Sequence, residues 1–203
     1  MISIKSLTCG YGKSVVISNF SAEISQGTIT AITGPNGSGK STLLAAIAGD
    51  IEGAQSKILL SGKPLSSYSL KELASIRSLV AQSHYYWLAY TVREIIGLGS
   101  AEIESTRIEK VSHRLGIDSY LDQSVTTLSG GQLQRVEIAR ALVRPTPLLL
   151  LDEPFASQDL ASIKTITDLL IDERNAGRTI VLVAHSRETE LQWCDQIIDL
   201  DTK

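Results

Sequence analysis

The most constraining feature of this sequence is the segment GPNGSGKST at residues 34–42, which fits a phosphate-binding loop and has suitable neighbours on both sides. Residues 28–33 predict a buried strand, and residues 43–48 predict a helix that ends at Gly49. A loop between such a strand and helix points several backbone N–H groups and the positive end of the helix at one spot. A chance glycine-rich turn would not need these flanks. The segment therefore predicts a nucleotide site.

Two polar side chains of this loop have predicted roles, because its glycines let the backbone approach an anion closely. Lys40 can reach the β- and γ-phosphates of a nucleotide, and the Ser41 hydroxyl can ligate Mg²⁺. The predicted phosphate-binding residues are Gly34, Pro35, Asn36, Gly37, Ser38, Gly39, Lys40, Ser41 and Thr42.

Composition narrows the class of protein. A chain of 203 residues with 43% hydrophobic and 20% charged residues can bury a substantial core. The formal charge of −3, with no basic cluster, argues against a nucleic-acid-binding surface. Cys9 and Cys194 share no motif, so buried thiols in a reducing compartment are expected rather than a disulfide. Because there is no signal-peptide profile and no apolar run of about 20 residues, we expect a soluble cytoplasmic chain.

A second group of candidate residues follows the most apolar segment of the chain. Residues 147–151 predict a central parallel strand, which would bring Asp152 and Glu153 to the sheet edge that carries the phosphate loop. Asp152 can hold Mg²⁺ through water, and Glu153 can polarise an attacking water.

Two further predicted strands also end in polar residues. Residues 79–81 lead to Gln82, and residues 179–184 lead to His185, after which residues 186–194 predict a helix. Ligands of open α/β sheets gather at the carboxyl ends of strands. Gln82 is therefore either a loop glutamine or a site residue, and His185 is either structural or a γ-phosphate contact.

The N-terminal residues predict an antiparallel unit. Residues 2–7 alternate apolar and polar side chains, a turn follows at residues 10–13, and residues 15–17 and 20–24 predict short antiparallel strands. Tyr11 lies in the turn, where its ring either faces solvent or stacks on a planar ligand.

The β pattern stops between Gln82 and Ser129. Residues 91–98 and 102–115 predict helices, so this insert of about forty residues predicts a small helical subdomain. Its first segment, HYYWLAY at residues 84–90, is either an exposed interaction surface or a local mini-core.

A second glycine-rich helix start occurs at residues 128–132, which read LSGGQ. Ser129 and Gln132, like Ser69 and Glu72 earlier in the chain, have the spacing of a capping box. The segment is therefore either an ordinary capped helix start or a second helix N-terminus built to hold an anion.

In their order and spacing, these motifs resemble those of the ATP-binding cassette (ABC) ATPases over essentially the whole chain. The LSGGQ segment ahead of the acidic strand end is close to diagnostic of that family. The correspondence places Walker A at residues 34–42, the Q-loop at Gln82, the signature at residues 128–132, Walker B with its catalytic glutamate at residues 148–153, and the switch histidine at His185.

The resemblance implies an α/β fold with a P-loop NTPase-like core, meaning a mainly parallel sheet flanked by helices. An antiparallel β subdomain and a small helical insert complete it. Residues 1–203 would form one ABC ATPase domain. Within it, residues 1–82 and 145–203 would form the RecA-like core with the antiparallel subdomain, and residues 83–144 the helical subdomain with the signature.

The resemblance further implies ATP and Mg²⁺ as cofactors and a head-to-tail homodimer or pseudo-homodimer. Each ATP would lie between Walker A of one subunit and the signature of the other. The implied catalytic residues are Glu153, His185, Gln82 and Lys40, and the implied Mg²⁺ residues are Ser41, Gln82 and Asp152. The implied ATP contacts outside Walker A are Tyr11, as the stacking ring, and, in trans, Ser129, Gly130, Gly131 and Gln132.

The chain departs from the family pattern at the D-loop, which usually reads SALD and here reads ASQD at residues 156–159. Asp159 is kept, whereas Gln158 replaces an apolar residue in a motif that makes contacts across the dimer.

Other users of this cassette fit less well. Chromosome-structure and DNA-repair ATPases interrupt it with a long coiled coil, but only about 110 residues separate Lys40 from Asp152. Translation-associated relatives carry two cassettes in one chain. A non-catalytic module is disfavoured because Lys40, Glu153 and His185 are all present. We therefore expect the ATPase subunit of a membrane transporter, held at the cytoplasmic face of the membrane by transmembrane permease subunits.

Cargo is predicted from a closer resemblance. Residues 49–52, 62–65, 72–77 and 92–99 resemble importer cassettes for iron-siderophore, haem and cobalamin. This predicts import of a metal chelate, with a substrate-binding protein as a further partner. The short helical insert and the short segment after the last strand leave a small exporter subunit as the alternative.

Overall fold

The computed structural model describes residues 1–82, 86–98, 105–184 and 191–201. Its strands are β1 (Ile2–Tyr11), β2 (Ser14–Ile24), β3 (Ile29–Thr33), β4 (Ile58–Leu60), β5 (Lys63–Pro64), β6 (Arg77–Val80), β7 (Leu148–Asp152), β8 (Thr179–Val183) and β9 (Gln196–Asp199). Its helices are α1 (Lys40–Ala48), α2 (Leu70–Ile76), α3 (Val92–Gly97), α4 (Ser105–Arg114), α5 (Gly130–Leu142) and α6 (Leu160–Asn175), with short 3₁₀ turns at Leu65–Ser67, Asp118–Tyr120 and Val125–Thr127.

The strands form two sheets. One is antiparallel, in the order β2-β1-β4-β5, and the other is parallel, in the order β6-β7-β8-β3-β9. This confirms the predicted fold class, an α/β core of parallel strands with an antiparallel β subdomain.

The three central strands of the parallel sheet, β7, β8 and β3, are buried on both faces, which explains why their sequences are almost continuously apolar. All five residues of β7 are buried. Leu149 and Leu151 pack into one core cluster with residues of α5 and α6 such as Val136 and Leu169. Leu148 packs with residues of α1 and of the antiparallel sheet in the other cluster. Successive side chains of one strand therefore hold opposite layers of the protein together.

The strand β2 differs from its prediction. Residues 15–17 and 20–24 belong to one strand of 11 residues rather than to two short ones. Its register against β1 shifts at several points. At Asn19, where φ is 49°, the backbone N–H donates to the Thr8 hydroxyl at 3.0 Å. The polar residues 18 and 19, between the two predicted strands, therefore form a β-bulge. The amide of Asn19 is bonded to a side chain, so the strand continues through it.

The helix starts follow the predicted capping chemistry. Ser69 and Ser129 are the N-caps of α2 and α5, and both form complete capping boxes, with Glu72 and Gln132. Thr91 forms a third box at α3. The helix α5 packs against α3 and α4, which together form the helical region after β6.

The predicted helix at residues 186–194 is wrong over the part that the structure describes. Residues 191–194 form a turn, closed by the bond from the Cys194 N–H to the Leu191 carbonyl at 2.9 Å. The reason is the next residue. The Asp195 carboxylate accepts from Ile29 N–H at 2.8 Å and from Arg174 at 2.6 Å, so the chain must turn here to enter β9.

Two smaller expectations have outcomes in the described residues. Cys9 and Cys194 are both free thiols; Cys9 is buried, as expected, whereas Cys194 is only partly buried. Among the helices described, none is long and apolar enough to cross a membrane.

Candidate functional site

The phosphate loop follows β3 and has a backbone that needs glycine. At Gly39, φ is 97°, and a Cβ would lie 2.6 Å from Cδ1 of Ile17 on β2. At Gly34, φ is 138°, and a Cβ would lie 2.8 Å from the Ser38 hydroxyl oxygen. A larger residue at either position would be strained by its φ, and the side chain of Ile17 or Ser38 would also have to move, so the loop conformation favours glycine at both positions.

Lys40 holds this loop from inside. Its side chain is buried, with 5% exposed, and its Nζ donates to the carbonyls of Gly34 at 2.9 Å and Pro35 at 3.0 Å. An ammonium group has three N–H donors, and these two bonds use two of them. The positive charge is therefore fixed beside the loop with donor capacity left for a ligand.

The start of α1 adds backbone donors at the same place. Its N-cap is Gly39, which has no side chain, and no side chain caps this helix end. The first N–H groups of a helix have no partner within the helix. Together with the helix dipole, they make this end of α1 suited to an anion.

The end of β7 brings carboxylates to the loop. The Ser41 hydroxyl donates to Oδ1 of Asp152 at 3.1 Å, and Asp152 is buried. Glu153 follows with a left-handed backbone, φ 51°, inside a turn in which the Ala156 N–H donates to its carbonyl at 3.1 Å. Because β7 is parallel to β3, its carboxyl end lies at the same sheet edge as the phosphate loop.

These residues meet at a cavity of about 550 Å³, whose lining includes Gln82 after β6 and Glu153 after β7. The other lining residues are Val16, Asn36, Gly37, Gly39, Lys40, Ser41 and Thr42. Gly34, Pro35, Ser38 and Asp152 are not part of the lining; Gly34, Pro35 and Asp152 act through Lys40 and Ser41. The structure thus joins the phosphate loop to Gln82 and Glu153.

A cavity of similar size, about 570 Å³, lies between β2 and β9 and shares only Ser38 with the loop. We assign the candidate site to the cavity beside the phosphate loop because it contains Lys40, Glu153 and the uncapped end of α1, whereas the described lining of the other cavity includes no lysine or arginine.

Two predicted groups lie outside this cavity, and a third falls on residues that the structure does not describe. Tyr11, at the end of β1, is 58% exposed and is not in the lining. The signature residues, 129–132, are also absent from the lining. His185 lies outside the described residues, as do His84 and Tyr85.

Sequence reasoning missed Val16, which lines the cavity from β2. It is an ordinary strand valine with no motif around it. Its place in the site depends on the antiparallel sheet packing over the phosphate loop, and no local pattern reports that contact.

The oxygen atoms at this site are of the kind that Mg²⁺ prefers. The Ser41 hydroxyl and the Asp152 carboxylate are already paired, and the amide of Gln82 lines the same cavity. Within the described ranges, no group of three His, Cys, Asp or Glu residues could hold a metal ion. The donor set therefore fits a Mg²⁺ that keeps water and takes ligands from a bound phosphate, rather than an all-protein metal cage.

The signature segment begins α5 on a different surface. Ser129 accepts from the Gln132 N–H at 3.3 Å, and the Gln132 side chain accepts from the Ser129 N–H at 2.9 Å. A Cβ on Gly130 would meet nothing within 4 Å, whereas one on Gly131 would lie 2.5 Å from the Ser157 carbonyl oxygen. One glycine is therefore open to the outside, and the next is packed against the segment that follows Glu153.

Comparison with known proteins gives a consistent result. The sequence matches the family described as ABC transporter over residues 17–156, more than half of the chain. It is 34% identical over 187 residues to the hemin import ATP-binding protein HmuV of Nocardia farcinica, covering 88% of this chain and 65% of that protein's length. It is 37% identical over 214 residues to the manganese transport system ATP-binding protein MntB of Listeria monocytogenes, covering 100% of this chain and 87% of the relative.

Among solved structures, the chain is similar to the ATP-binding cassette MJ0796, described as dimeric, in a post-hydrolysis state, and bound to ADP and Pi. The TM-score is 0.83 at 26% identity, covering 98% of this chain and 94% of that one.

Proposed function

This chain belongs to the ABC transporter family and is an ABC transporter ATPase, and from that premise we propose that it drives transport by ATP-dependent head-to-tail dimerisation. The observation that carries the proposal is the separation of two half-sites. The phosphate loop, Gln82 and Glu153 share one cavity, whose lining contains none of residues 129–132. A second subunit can supply the missing half.

The phosphates of ATP bind at residues 34–42, where Lys40 and the N-terminus of α1 neutralise their charge. Ser41, Asp152 and Gln82 would hold Mg²⁺, which would lower the charge on the phosphates. The existing bond between Ser41 and Asp152, at 3.1 Å, supports this set because it brings two of the three oxygen donors together. Tyr11 stacks on the base.

Glu153 orients and polarises the attacking water, and its position in the lining supports that role. Lys40 offsets the charge that develops on the transferred phosphoryl group, and Gln82 senses the metal site from the end of β6. His185 contacts the γ-phosphate in the proposal. Its place in the sequence, directly after β8, the strand between β7 and β3, supports this role.

In the dimer, residues 129–132 of each subunit contact the ATP of the other, with Ser129, Gly130, Gly131 and Gln132 at the N-terminus of α5. The exposed position of Gly130 supports this contact. The likeness to MJ0796, a cassette described as dimeric, supports the assembly.

A cross-linking experiment tests this assembly. Asn36 and Ser129 are both exposed. Chains carrying Asn36→Cys are mixed with chains carrying Ser129→Cys in a Glu153→Gln background, and a short thiol cross-linker is added with ATP or ADP. We expect a cross-linked dimer with ATP only. Each variant tested alone, with one introduced cysteine per chain, is the control for cross-linking through Cys9 and Cys194, which both chains keep. No ATP-dependent product in the mixture would refute the head-to-tail assembly.

The permease partner docks near the Q-loop, at the cytoplasmic face of the membrane. The aromatic segment at residues 84–90 supports this, because its described side chains divide into two roles. Trp87 is 93% exposed and Leu88 61% exposed. Tyr86 instead packs against the core and donates its hydroxyl to Glu137. Trp87 and Leu88 are therefore suited to anchor an interface, because the neighbouring Tyr86 is fixed to the core. In the same proposal, residues 83–144 form the helical subdomain, and residues 1–82 and 145–203 form the RecA-like core with the antiparallel subdomain.

We propose import of a metal or metal chelate as the transport reaction. The names of the two relatives support it, since one is a hemin importer and the other a manganese transporter. A substrate-binding protein would then deliver the cargo. A small exporter subunit is the alternative.

Direction is tested by reconstituting the chain with its co-purifying membrane protein in vesicles. Radioactive manganese and haem are placed on either side before ATP is added at the ATPase face. Cargo that accumulates on the ATPase side supports import, and cargo that leaves that side on ATP addition refutes it.

A further inference from the structure

The segment after Glu153 is bonded directly to the signature helix of the same chain. Gln158, at the position where the sequence departs from its family, donates from its side-chain amide to the Gly131 carbonyl at 2.9 Å. The backbone N–H of Gln158 donates to the Phe155 carbonyl at 3.2 Å, which closes the turn from which the side chain extends. An apolar side chain at this position could not make the bond to Gly131.

The two backbones also touch. A Cβ on Gly131 would lie 2.5 Å from the Ser157 carbonyl oxygen, so only glycine permits this approach. Ser157 has a left-handed backbone, with φ 58°, which is unusual for a residue other than glycine and needs support from its surroundings. The contact with Gly131 and the bond from Gln158 provide that support.

The far end of the segment is fixed as well. Asp159 is the N-cap of α6 and accepts from the Ser162 N–H at 2.7 Å. This backbone hydrogen bond holds the pKa of the Asp159 carboxyl below its usual range. At the near end, the Ala156 N–H is bonded to the Glu153 carbonyl at 3.1 Å. The segment from Glu153 to the start of α6 is therefore held by hydrogen bonds at both ends, and its middle contacts the first turn of α5.

We propose that Gln158 is a positioning residue, which holds the first turn of α5 in the orientation that receives the nucleotide of the other subunit. This rests on the proposed head-to-tail function. The hydrogen bond between Gln158 and Gly131 already orders the start of α5 in the single chain. Dimer formation then loses less conformational entropy at that helix end.

The test compares Gln158→Leu, which keeps the size of the side chain but removes the donor, with Gln26→Leu. Gln26 lies in an exposed turn before β3, so it provides the same chemical change away from the site. Both variants are made in the Glu153→Gln background. ATP-driven dimerisation is followed by sedimentation, and nucleotide affinity of the monomer by a fluorescent ATP analogue.

Gln158→Leu should weaken ATP-driven dimerisation about five-fold per site, or roughly 25-fold for a dimer with two sites, as expected for the loss of a neutral hydrogen bond. Nucleotide affinity of the monomer should stay within about two-fold, because Gln158 does not line the phosphate-loop cavity. Gln26→Leu should behave as the parent. Unchanged dimerisation, or an equal loss of monomer affinity, would overturn the proposal.

A second measurement tests whether Gln158 holds the start of α5, even if the parent chain does not dimerise. Hydrogen exchange at the amides of Gln132 and Leu133, in the nucleotide-free chain, should become several-fold faster in Gln158→Leu than in Gln26→Leu. Equal exchange in the two variants would show that Gln158 does not hold the helix start. An absence of dimers in the parent would refute the proposed function instead.

Discussion

The two helix N-termini that serve the proposed ATP site are built in opposite ways. The helix α1 starts at Gly39, which caps nothing, beside a buried lysine. The helix α5 starts at Ser129, which forms a complete capping box with Gln132. One helix end leaves its donors to a ligand, and the other already satisfies part of them within the chain.

This difference indicates an order of events. An uncapped helix end beside a positive charge attracts an anion without help from another subunit, so the single chain can bind the phosphates at α1. The capped end of α5 is stable while it is exposed to water, because its side chains replace the missing partners. A helix end that contacts a second subunit only in the dimer must be stable in water while the chain is a monomer. In the proposed function, nucleotide would therefore bind at α1 first and contact α5 of the other chain second.

The largest effect is expected from Glu153→Gln, which should stop ATP hydrolysis while the N-termini of α1 and α5 stay intact. The amide keeps the shape of the side chain but cannot polarise water as a carboxylate does. We expect hydrolysis to fall at least ~100-fold, the scale of lost general-base assistance. ATP binding should persist, and ATP should hold the chain as a dimer. The measurement is steady-state phosphate release with sedimentation, and a parental rate would show that the assignment of Glu153 is wrong.

The pair Gly131→Ala and Gly130→Ala should affect the α5 side alone. A Cβ at Gly131 meets the Ser157 carbonyl oxygen at 2.5 Å, and this overpacking should cost roughly 1–3 kcal/mol of folding free energy. Gly130 has open space, so alanine there should be neutral or should stabilise by up to about 1 kcal/mol through helix propensity. Urea unfolding measures both. Equal stabilities of the two variants would contradict the packing of the D-loop on α5.

Substitution of Tyr11 should sharpen the α1 side. In Tyr11→Ala, affinity for ATP and for GTP should fall by similar factors of about ten, because stacking uses the face of either base. Tyr11→Phe should change little. The ring is 58% exposed, so neither change should affect folding. Equilibrium titration with both nucleotides is the measurement, and a large loss in Tyr11→Phe would indicate a hydrogen bond from the hydroxyl instead.

The smallest effect on nucleotide is expected at Trp87, which belongs to neither helix end. In the reconstituted transporter, Trp87→Ala should uncouple hydrolysis from transport while ATP affinity stays within about two-fold, since Trp87 does not line the cavity. Transport and phosphate release are measured in the same vesicles. Leu70→Ala is a matched control, because Leu70, at the start of α2, is also highly exposed, at 84%. Normal coupling in Trp87→Ala would refute the docking surface.

Features that depend on neighbouring residues followed directly from the sequence. The phosphate loop, the capping boxes at Ser69 and Ser129 and the buried strand before Asp152 each arise from local chemistry, and a few adjacent residues carry it. Parallel strands then bring their carboxyl ends to one edge, so the pairing of Ser41 with Asp152 at 3.1 Å agrees with the predicted meeting of these residues.

Tertiary structure decided what depends on packing between distant segments. Val16 lines the cavity because the antiparallel sheet covers the loop, and Gln158 reaches Gly131 because a turn after β7 lies on α5. The bonds of Asp195 to Ile29 and Arg174 turn the chain at residues 191–194, where local periodicity predicted a helix. A contact between residues far apart in the chain has no local signal, since its energy exists only once the intervening segments are in place.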